Sequence, residues 1–132
     1  MKELPIIENI VRQIRESGKT FETILCCGRG GLVPAAFIAH RLGIKTVIHL
    51  ANSRETPSEG LRTISVSSKL LVLDDISDTG ETFKNMTKYI GKGFSTAALY
   101  ERFNTAYPCD FVGERLHSEE WVNFSWEAKQ DA

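Results

Sequence analysis

Residues 70–82 read Leu-Leu-Val-Leu-Asp-Asp-Ile-Ser-Asp-Thr-Gly-Glu-Thr, so an apolar run gives way to a polar one within a single short segment. A short apolar run of β-forming residues that stops at a polar residue is typical of a buried strand in a parallel sheet. Open α/β sheets bind ligands in the loops that follow the carboxyl ends of such strands. The segment therefore predicts a strand at Leu70–Leu73 with a binding loop directly after it.

This loop combines two kinds of binding chemistry. The carboxylates of Asp74 and Asp75 can accept hydrogen bonds from sugar hydroxyls or hold Mg²⁺. The stretch Thr79–Thr82 enters a helical pattern, where free backbone N–H groups and the positive helix end bind phosphate. Turn and cap chemistry can explain an Asp-Asp pair or an Asp-Thr-Gly sequence alone, but explains the complete run poorly. The run indicates a site for a ribose phosphate.

The rest of the chain alternates between helical and strand patterns. Helices are predicted at Leu4–Glu16, from the residue after Gly31 to Gly43, and at Glu81–Ile90. Further strands are predicted at Phe21–Cys27, Thr46–Leu50, Ser95–Tyr100 and Phe111–Val112. Such alternation predicts an α/β fold of three layers, in which helices flank a mainly parallel sheet. The aromatic segment Trp121–Trp126 is expected to form a small C-terminal hood.

Composition narrows the class of protein. A chain of 132 residues with 42% hydrophobic and 25% charged residues fits one globular domain, residues 1–132. The net charge of −1 and the absence of a long basic run disfavour nucleic acid as a partner. No apolar stretch reaches transmembrane length and the N-terminus lacks a signal-peptide core, so we expect a cytoplasmic protein without a membrane partner.

The cysteines are expected to be small buried side chains. Cys26 and Cys27 are adjacent in a predicted strand, and the odd total of three cysteines does not suggest a disulfide framework. Cys109 has no base at a recognisable spacing, which disfavours a nucleophile there.

A second loop, Gly28-Arg29-Gly30-Gly31, also joins a predicted strand to a predicted helix. Glycines let backbone N–H groups approach an anion closely, and Arg29 adds a permanent cation with several donors. A tight turn with a solvent-facing Arg is the plain alternative. Beside the first loop, however, a second anion loop suits a substrate with two separated phosphate groups.

Residues 70–82 match, at every defined position, the signature of the type I phosphoribosyltransferase family for 5-phosphoribosyl-1-pyrophosphate, and the chain resembles this family. Residues 29–34 and 41–44 look like those of bacterial xanthine-guanine phosphoribosyltransferases, so the 6-oxopurine subgroup (xanthine-guanine and hypoxanthine enzymes) is the nearest. The resemblance covers Phe21 to Glu127, except that the stretch Asn52–Ser68 is short and aligns poorly.

The resemblance implies that a 5-phosphoribosyl group is transferred to a 6-oxopurine with Mg²⁺ as cofactor, as in purine salvage. It assigns the ribose hydroxyls and the metal to Asp74 and Asp75, and it makes Asp78 a candidate general base near the purine N7. It implies that Thr79, Gly80, Glu81 and Thr82 bind the 5′-phosphate. It implies that Arg29 and Gly30 bind the pyrophosphate. It also leads us to expect a cis peptide bond between Gly28 and Arg29.

For the base, the resemblance implies that Trp121 stacks on the purine and that the backbone at Val122 reads its exocyclic groups. Trp126 is expected to anchor the segment on the core. Arg102 stands where relatives place a Lys that donates to the 6-oxo group, and it is the candidate donor here. Phe103 and Ser125 stand where relatives have proline, so the identity of the base stays open.

The stretch Asn52–Ser68 is the expected lid, with Arg54 or Arg62 able to contact pyrophosphate. The resemblance also implies a homodimer or homotetramer. Two alternatives stay open: a non-catalytic regulator that binds the sugar phosphate or a nucleotide, and a phosphoribosyltransferase for a different base.

Overall fold

A computed structural model describes residues 1–50 and 69–127 of the chain, so the expected lid with Arg54 and Arg62 lies outside the described residues. The described strands are β1 (Thr23–Cys27), β2 (Thr46–Leu50), β3 (Leu70–Ser77), β4 (Ser95–Arg102) and β5 (Phe111–Leu116). They form one sheet in the order β2-β1-β3-β4-β5, and all pairs are parallel. The described helices are α1 (Leu4–Ser17), α2 (Leu32–Leu42) and α3 (Glu81–Ile90), and a 3₁₀ turn at Arg29–Gly31 precedes α2.

The expected three layers are confirmed. Helices α1 and α2 pack on one face of the sheet, where their apolar side chains meet Ile24, Leu71 and Leu99. Helix α3 packs Phe83 and Met86 on the other face. Because alternate residues of a strand point to opposite faces, β1 and β3 are apolar at every paired position after Thr23. The central strands are therefore covered on both sides. In the part of the chain that the structure describes, no helix is long and apolar enough to cross a membrane.

One boundary differs in a way that matters for function. The sequence predicts that the strand at Leu70 ends at Leu73, but β3 continues to Ser77, so Asp74 and Asp75 lie in the strand and not in the following loop. The pairing of β3 with β1 stops at Cys26 and Leu73, whereas its pairing with β4 continues to Ser77. The extra residues of β3 thus have a strand neighbour on one edge only.

Helix α1 covers the outer edge of β5. The side-chain amides of Asn9 and Gln13 donate to the carbonyls of Gly113 and Val112 at 2.8 and 2.7 Å, and Val112 N–H donates back to Gln13 at 3.2 Å. An added Cβ on Gly113 would collide with the Ile6 side chain of α1 and lie 3.2 Å from the Ile6 carbonyl oxygen, which explains why this strand carries glycine where the helix approaches. This contact fixes the start of α1, and with it Glu3, against the sheet.

Candidate functional site

The sheet order places the candidate site. The chain leaves β1 toward β2 on one side and returns to β3 on the other side of β1, so β1 and β3 form a topological switch point. Ligands of open α/β sheets bind at the carboxyl ends of the strands at this point. Here the two loops predicted to bind anions meet: an added Cβ on Gly30 would collide with the carboxylate of Asp75, whose Cγ would be only 2.8 Å away.

The two adjacent carboxylates have different surroundings. Asp74 is 8% exposed, and Asp75 is partly exposed and lines the cleft described below. The Asp75 N–H donates to Asp74 Oδ1 at 2.8 Å, and the Ile76 N–H donates to Asp75 Oδ1 at 2.8 Å. These bonds satisfy backbone donors at the point where β3 has lost its neighbour β1. The two acids therefore stabilise the unpaired end of their own strand.

Burial raises the pKa of Asp74 well above its ordinary value of 3.8, and the adjacent charge of Asp75 raises it further. A hydrogen bond from the Thr82 side chain lowers it, but does not offset the burial. Asp74 in the ligand-free protein is thus a carboxyl that resists ionisation.

Replacement of Asp74 with Asn should stabilise the metal-free protein increasingly as the pH rises. The native state holds a proton on Asp74 that the unfolded chain releases near pH 4, so wild-type stability falls as pH rises toward the raised pKa. Asn removes this dependence. Urea unfolding in a metal chelator at a series of pH values measures it, and a difference between Asp74→Asn and wild type that is constant with pH would contradict the expected burial penalty.

The segment predicted to bind phosphate, Thr79–Thr82, is held by a contact that the sequence does not reveal. Gly80 has φ +82°, and an added Cβ there would lie 2.6 Å from Tyr107 Cβ and 2.9 Å from its nitrogen. Ser77 Oγ donates to the Tyr107 carbonyl at 3.1 Å, and the Tyr107 ring stacks on Phe83 of α3 at 5.3 Å. Tyr107 lies between β4 and β5 and lacks a recognisable motif. It braces the loop that enters α3.

The contact between Tyr107 and Gly80 predicts that alanine variants at Gly18 and Gly80, which have similar backbone conformations, differ in stability. Gly18 has φ +74° with nothing within 4 Å of an added Cβ, so Gly18→Ala measures backbone strain alone. Gly80→Ala adds overpacking against Tyr107 and should be less stable than Gly18→Ala by about 1–3 kcal/mol. Urea unfolding of both variants measures the two losses of stability. Equal losses would contradict the expected overpacking against Tyr107.

The glycine loop differs from expectation in one respect. The described residues contain no cis peptide bond, so the expected cis peptide at Gly28–Arg29 is wrong. Gly28 instead adopts φ +67° and ψ 168°, a conformation open to glycine, and thereby turns the chain into the 3₁₀ turn.

A cleft of about 710 Å³ opens beside these loops. Of the predicted site residues, it is lined by Arg29, Gly30, Asp75, Trp121 and Val122. Trp121 is 76% exposed and offers an aromatic face. The cleft also contains Ile76, which was not predicted as a site residue, although it is the single apolar residue between the acids and the phosphate loop. Apolar walls with a few polar groups suit a flat heterocycle.

The remaining predicted site residues do not line this cleft. Asp78 and Thr79–Thr82 lie on the continuation of β3 into α3, and Asp78 is 59% exposed. Arg102 is only 7% exposed and is engaged with protein groups: its Nε lies 3.1 Å from Asp78 Oδ1, and its terminal nitrogens donate to two backbone carbonyls. Trp126 packs on Phe124 with ring centroids 4.9 Å apart, in keeping with its expected anchoring.

The thiols offer little nucleophilic chemistry. Burial raises the pKa of Cys26 to about 11 and, with a neighbouring carboxylate, the pKa of Cys27 and of Cys109 to about 12.

Comparison with known proteins agrees with the geometry. The sequence model of the family described as the phosphoribosyl transferase domain matches residues 1–131. A xanthine-guanine phosphoribosyltransferase of Idiomarina loihiensis is 28% identical over 116 residues, which cover 81% of this chain and 71% of that protein. Among solved structures, the Helicobacter pylori xanthine-guanine-hypoxanthine phosphoribosyltransferase superposes with a TM-score of 0.75 at 22% identity, covering 94% of this chain and 86% of that one. A purine phosphoribosyltransferase of Pyrococcus horikoshii superposes with a TM-score of 0.73 at 24% identity, covering 96% of this chain and 90% of that one.

Proposed function

Because the chain belongs to the phosphoribosyl transferase domain family, we propose that it transfers 5-phosphoribosyl from 5-phosphoribosyl-1-pyrophosphate to a 6-oxopurine base. The products are a nucleoside monophosphate and pyrophosphate, as in purine salvage. One observation carries the proposal: the carboxylate of Asp75, the glycine loop and the exposed face of Trp121 line a single cleft at the switch point of the sheet.

The donor sugar spans the two loops. The 5′-phosphate binds at the start of α3, where Thr79, Gly80, Glu81 and Thr82 supply backbone N–H groups and hydroxyls. The pyrophosphate binds at Arg29 and Gly30, and the ribose hydroxyls bind at Asp74 and Asp75. The contact between Gly30 and Asp75 supports this arrangement, because it brings the pyrophosphate loop next to the ribose-binding acids.

The acid pair fits Mg²⁺. This ion favours oxygen ligands and commonly uses one or two carboxylates together with substrate phosphates. Asp75 at the cleft and the buried Asp74 beside it provide such a pair, and no cluster of three or more His, Cys, Asp or Glu side chains occurs in the described ranges. Bound there, Mg²⁺ would neutralise the charge of the leaving pyrophosphate.

The chemistry breaks the bond from C1′ to the pyrophosphate oxygen and forms a bond from C1′ to a purine nitrogen. Positive charge develops on the ribose ring, so catalysis rests on positioning and charge stabilisation. Asp78 accepts the proton that the purine nitrogen releases. Trp121 and Ile76 hold the base in the cleft, and backbone groups at Val122 read its exocyclic atoms.

An assay with a panel of bases tests the proposal. The protein, 5-phosphoribosyl-1-pyrophosphate and Mg²⁺ should release pyrophosphate and form nucleotide with guanine, xanthine or hypoxanthine. Pyrophosphate release and chromatography of the nucleotides measure this. Binding of the sugar without turnover of any base would favour the regulator, and turnover with a pyrimidine alone would overturn the purine assignment.

Asp78→Asn should lower kcat about 10²- to 10⁴-fold, the usual contribution of a general base. The affinity for the sugar pyrophosphate should change little, because the amide leaves the phosphate loop intact. Glu16→Gln, which removes an exposed carboxylate of α1 far from the cleft, is the matched control. Equal loss of turnover and of sugar affinity would remove Asp78 from the role of base.

The homodimer or homotetramer implied by the resemblance, and the cytoplasmic location, stay predictions. Size-exclusion chromatography with light scattering measures the oligomeric state.

A further inference from the structure

The segment that carries Trp121 lacks regular structure of its own. Residues 117–127 contain neither helix nor strand, yet they supply Trp121, Val122 and Phe124 to the cleft. An irregular segment depends on side chains from elsewhere to fix its shape. Two buried charged residues, one at the end of β4 and one directly before α1, reach it from either side of Trp121.

The first is Arg102, the last residue of β4. Its Nη1 donates to the Ser118 carbonyl at 3.0 Å and its Nη2 to the Glu120 carbonyl at 3.1 Å, while its Nε faces Asp78 at 3.1 Å. The planar guanidinium thus spreads its donors over two backbone carbonyls and one carboxylate. Such a fork holds several acceptors in fixed geometry, which the single ammonium of a Lys cannot do.

The second is Glu3, which precedes α1. Its side chain is fully buried, and its Oε2 accepts the Ser125 N–H at 2.9 Å. Glu3 makes no capping bond to its own helix, so its carboxyl serves the aromatic segment and not the helix start. Close packing of α1 on Gly113 holds Glu3 in place.

We infer that Arg102 and Glu3 are positioning residues that set the shape of the base-binding segment 118–125, and that Arg102 joins this segment to Asp78. The role in base binding rests on the proposed function. Arg102 then acts on the base through Ser118 and Glu120 and not as a donor to its 6-oxo group. The base is read by the segment that Arg102 shapes, and a shift of the segment also shifts the carboxylate that takes the proton.

The conservative variant separates the two roles of Arg102. A direct donor to the base would be replaced well by Lys, whereas an anchor of three acceptors would not. Arg102→Lys should therefore raise the KM for the base about tenfold or more, since it loses charged hydrogen bonds to backbone carbonyls. Hydrogen exchange of amides in residues 118–127 should accelerate by a similar factor, measured by mass spectrometry. The KM for the sugar pyrophosphate should change far less, because none of the three acceptors that Arg102 holds is assigned to the sugar pyrophosphate.

Arg115→Lys is the matched control. Arg115 lies on the neighbouring strand β5, is largely exposed and pairs with Glu101, so the same substitution there should leave both readouts unchanged. Unchanged exchange in Arg102→Lys with a normal base KM would overturn the inference, because it is the result expected of a direct donor that Lys replaces. Unchanged exchange with a raised base KM would also overturn it, because the shape of the segment would then not depend on Arg102. Fast exchange with a normal base KM would overturn the role in base binding.

Glu3→Ala tests the same inference if Arg102→Lys does not fold. It removes the acceptor of the Ser125 N–H and should accelerate exchange in the segment and raise the base KM, whereas Glu8→Ala, on the exposed side of α1, should not. Unchanged hydrogen exchange of the segment in Glu3→Ala would overturn the positioning role of Glu3. If the wild-type protein turns over no base, the proposed function fails, while the exchange data still decide whether these residues hold the segment.

Discussion

The burial of β3 on both faces is the constraint on which the site depends. A strand covered by α1 and α2 on one face and by α3 on the other admits polar side chains only where its neighbours stop. Pairing with β1 ends at Leu73, and the carboxylates begin at the next residue. The acids accept hydrogen bonds from the backbone N–H groups of Asp75 and Ile76, so these donors are satisfied beyond the point where β1 stops pairing with β3.

Much of this arrangement could be predicted from sequence, because apolar runs, glycines and polar stops have direct consequences for the backbone. The bounds of α3 and β2 agree with expectation, and Gly43 caps the end of α2, one residue after Leu42. The sequence places the end of β3 too early, because an Asp-Asp pair resembles a loop unless the register of the neighbouring strand is known. The cis peptide expected at Gly28 rests on the resemblance alone, while this glycine turns the chain by its positive φ.

Other parts of the site could not be predicted, since they are contacts between residues far apart in the chain. Nothing local marks Tyr107 as the residue that packs on Gly80, or Glu3 as an acceptor for Ser125. Spacing predicts the position of Arg102, but its partners depend on how the segment after β5 folds back. The net stability that a buried charge of this kind contributes is small, because desolvation offsets much of its attraction.

The bond from Ser125 to Glu3 joins residues 122 positions apart in the chain. Contacts of such long range form late, because the intervening chain must first be ordered. During synthesis, Glu3 emerges early and stays without this partner until residue 125 has left the ribosome. The sheet and the loops that follow β1 and β3 can therefore assemble before the aromatic segment finds its anchor, and the wall of the cleft that contains Trp121 is the last part to form.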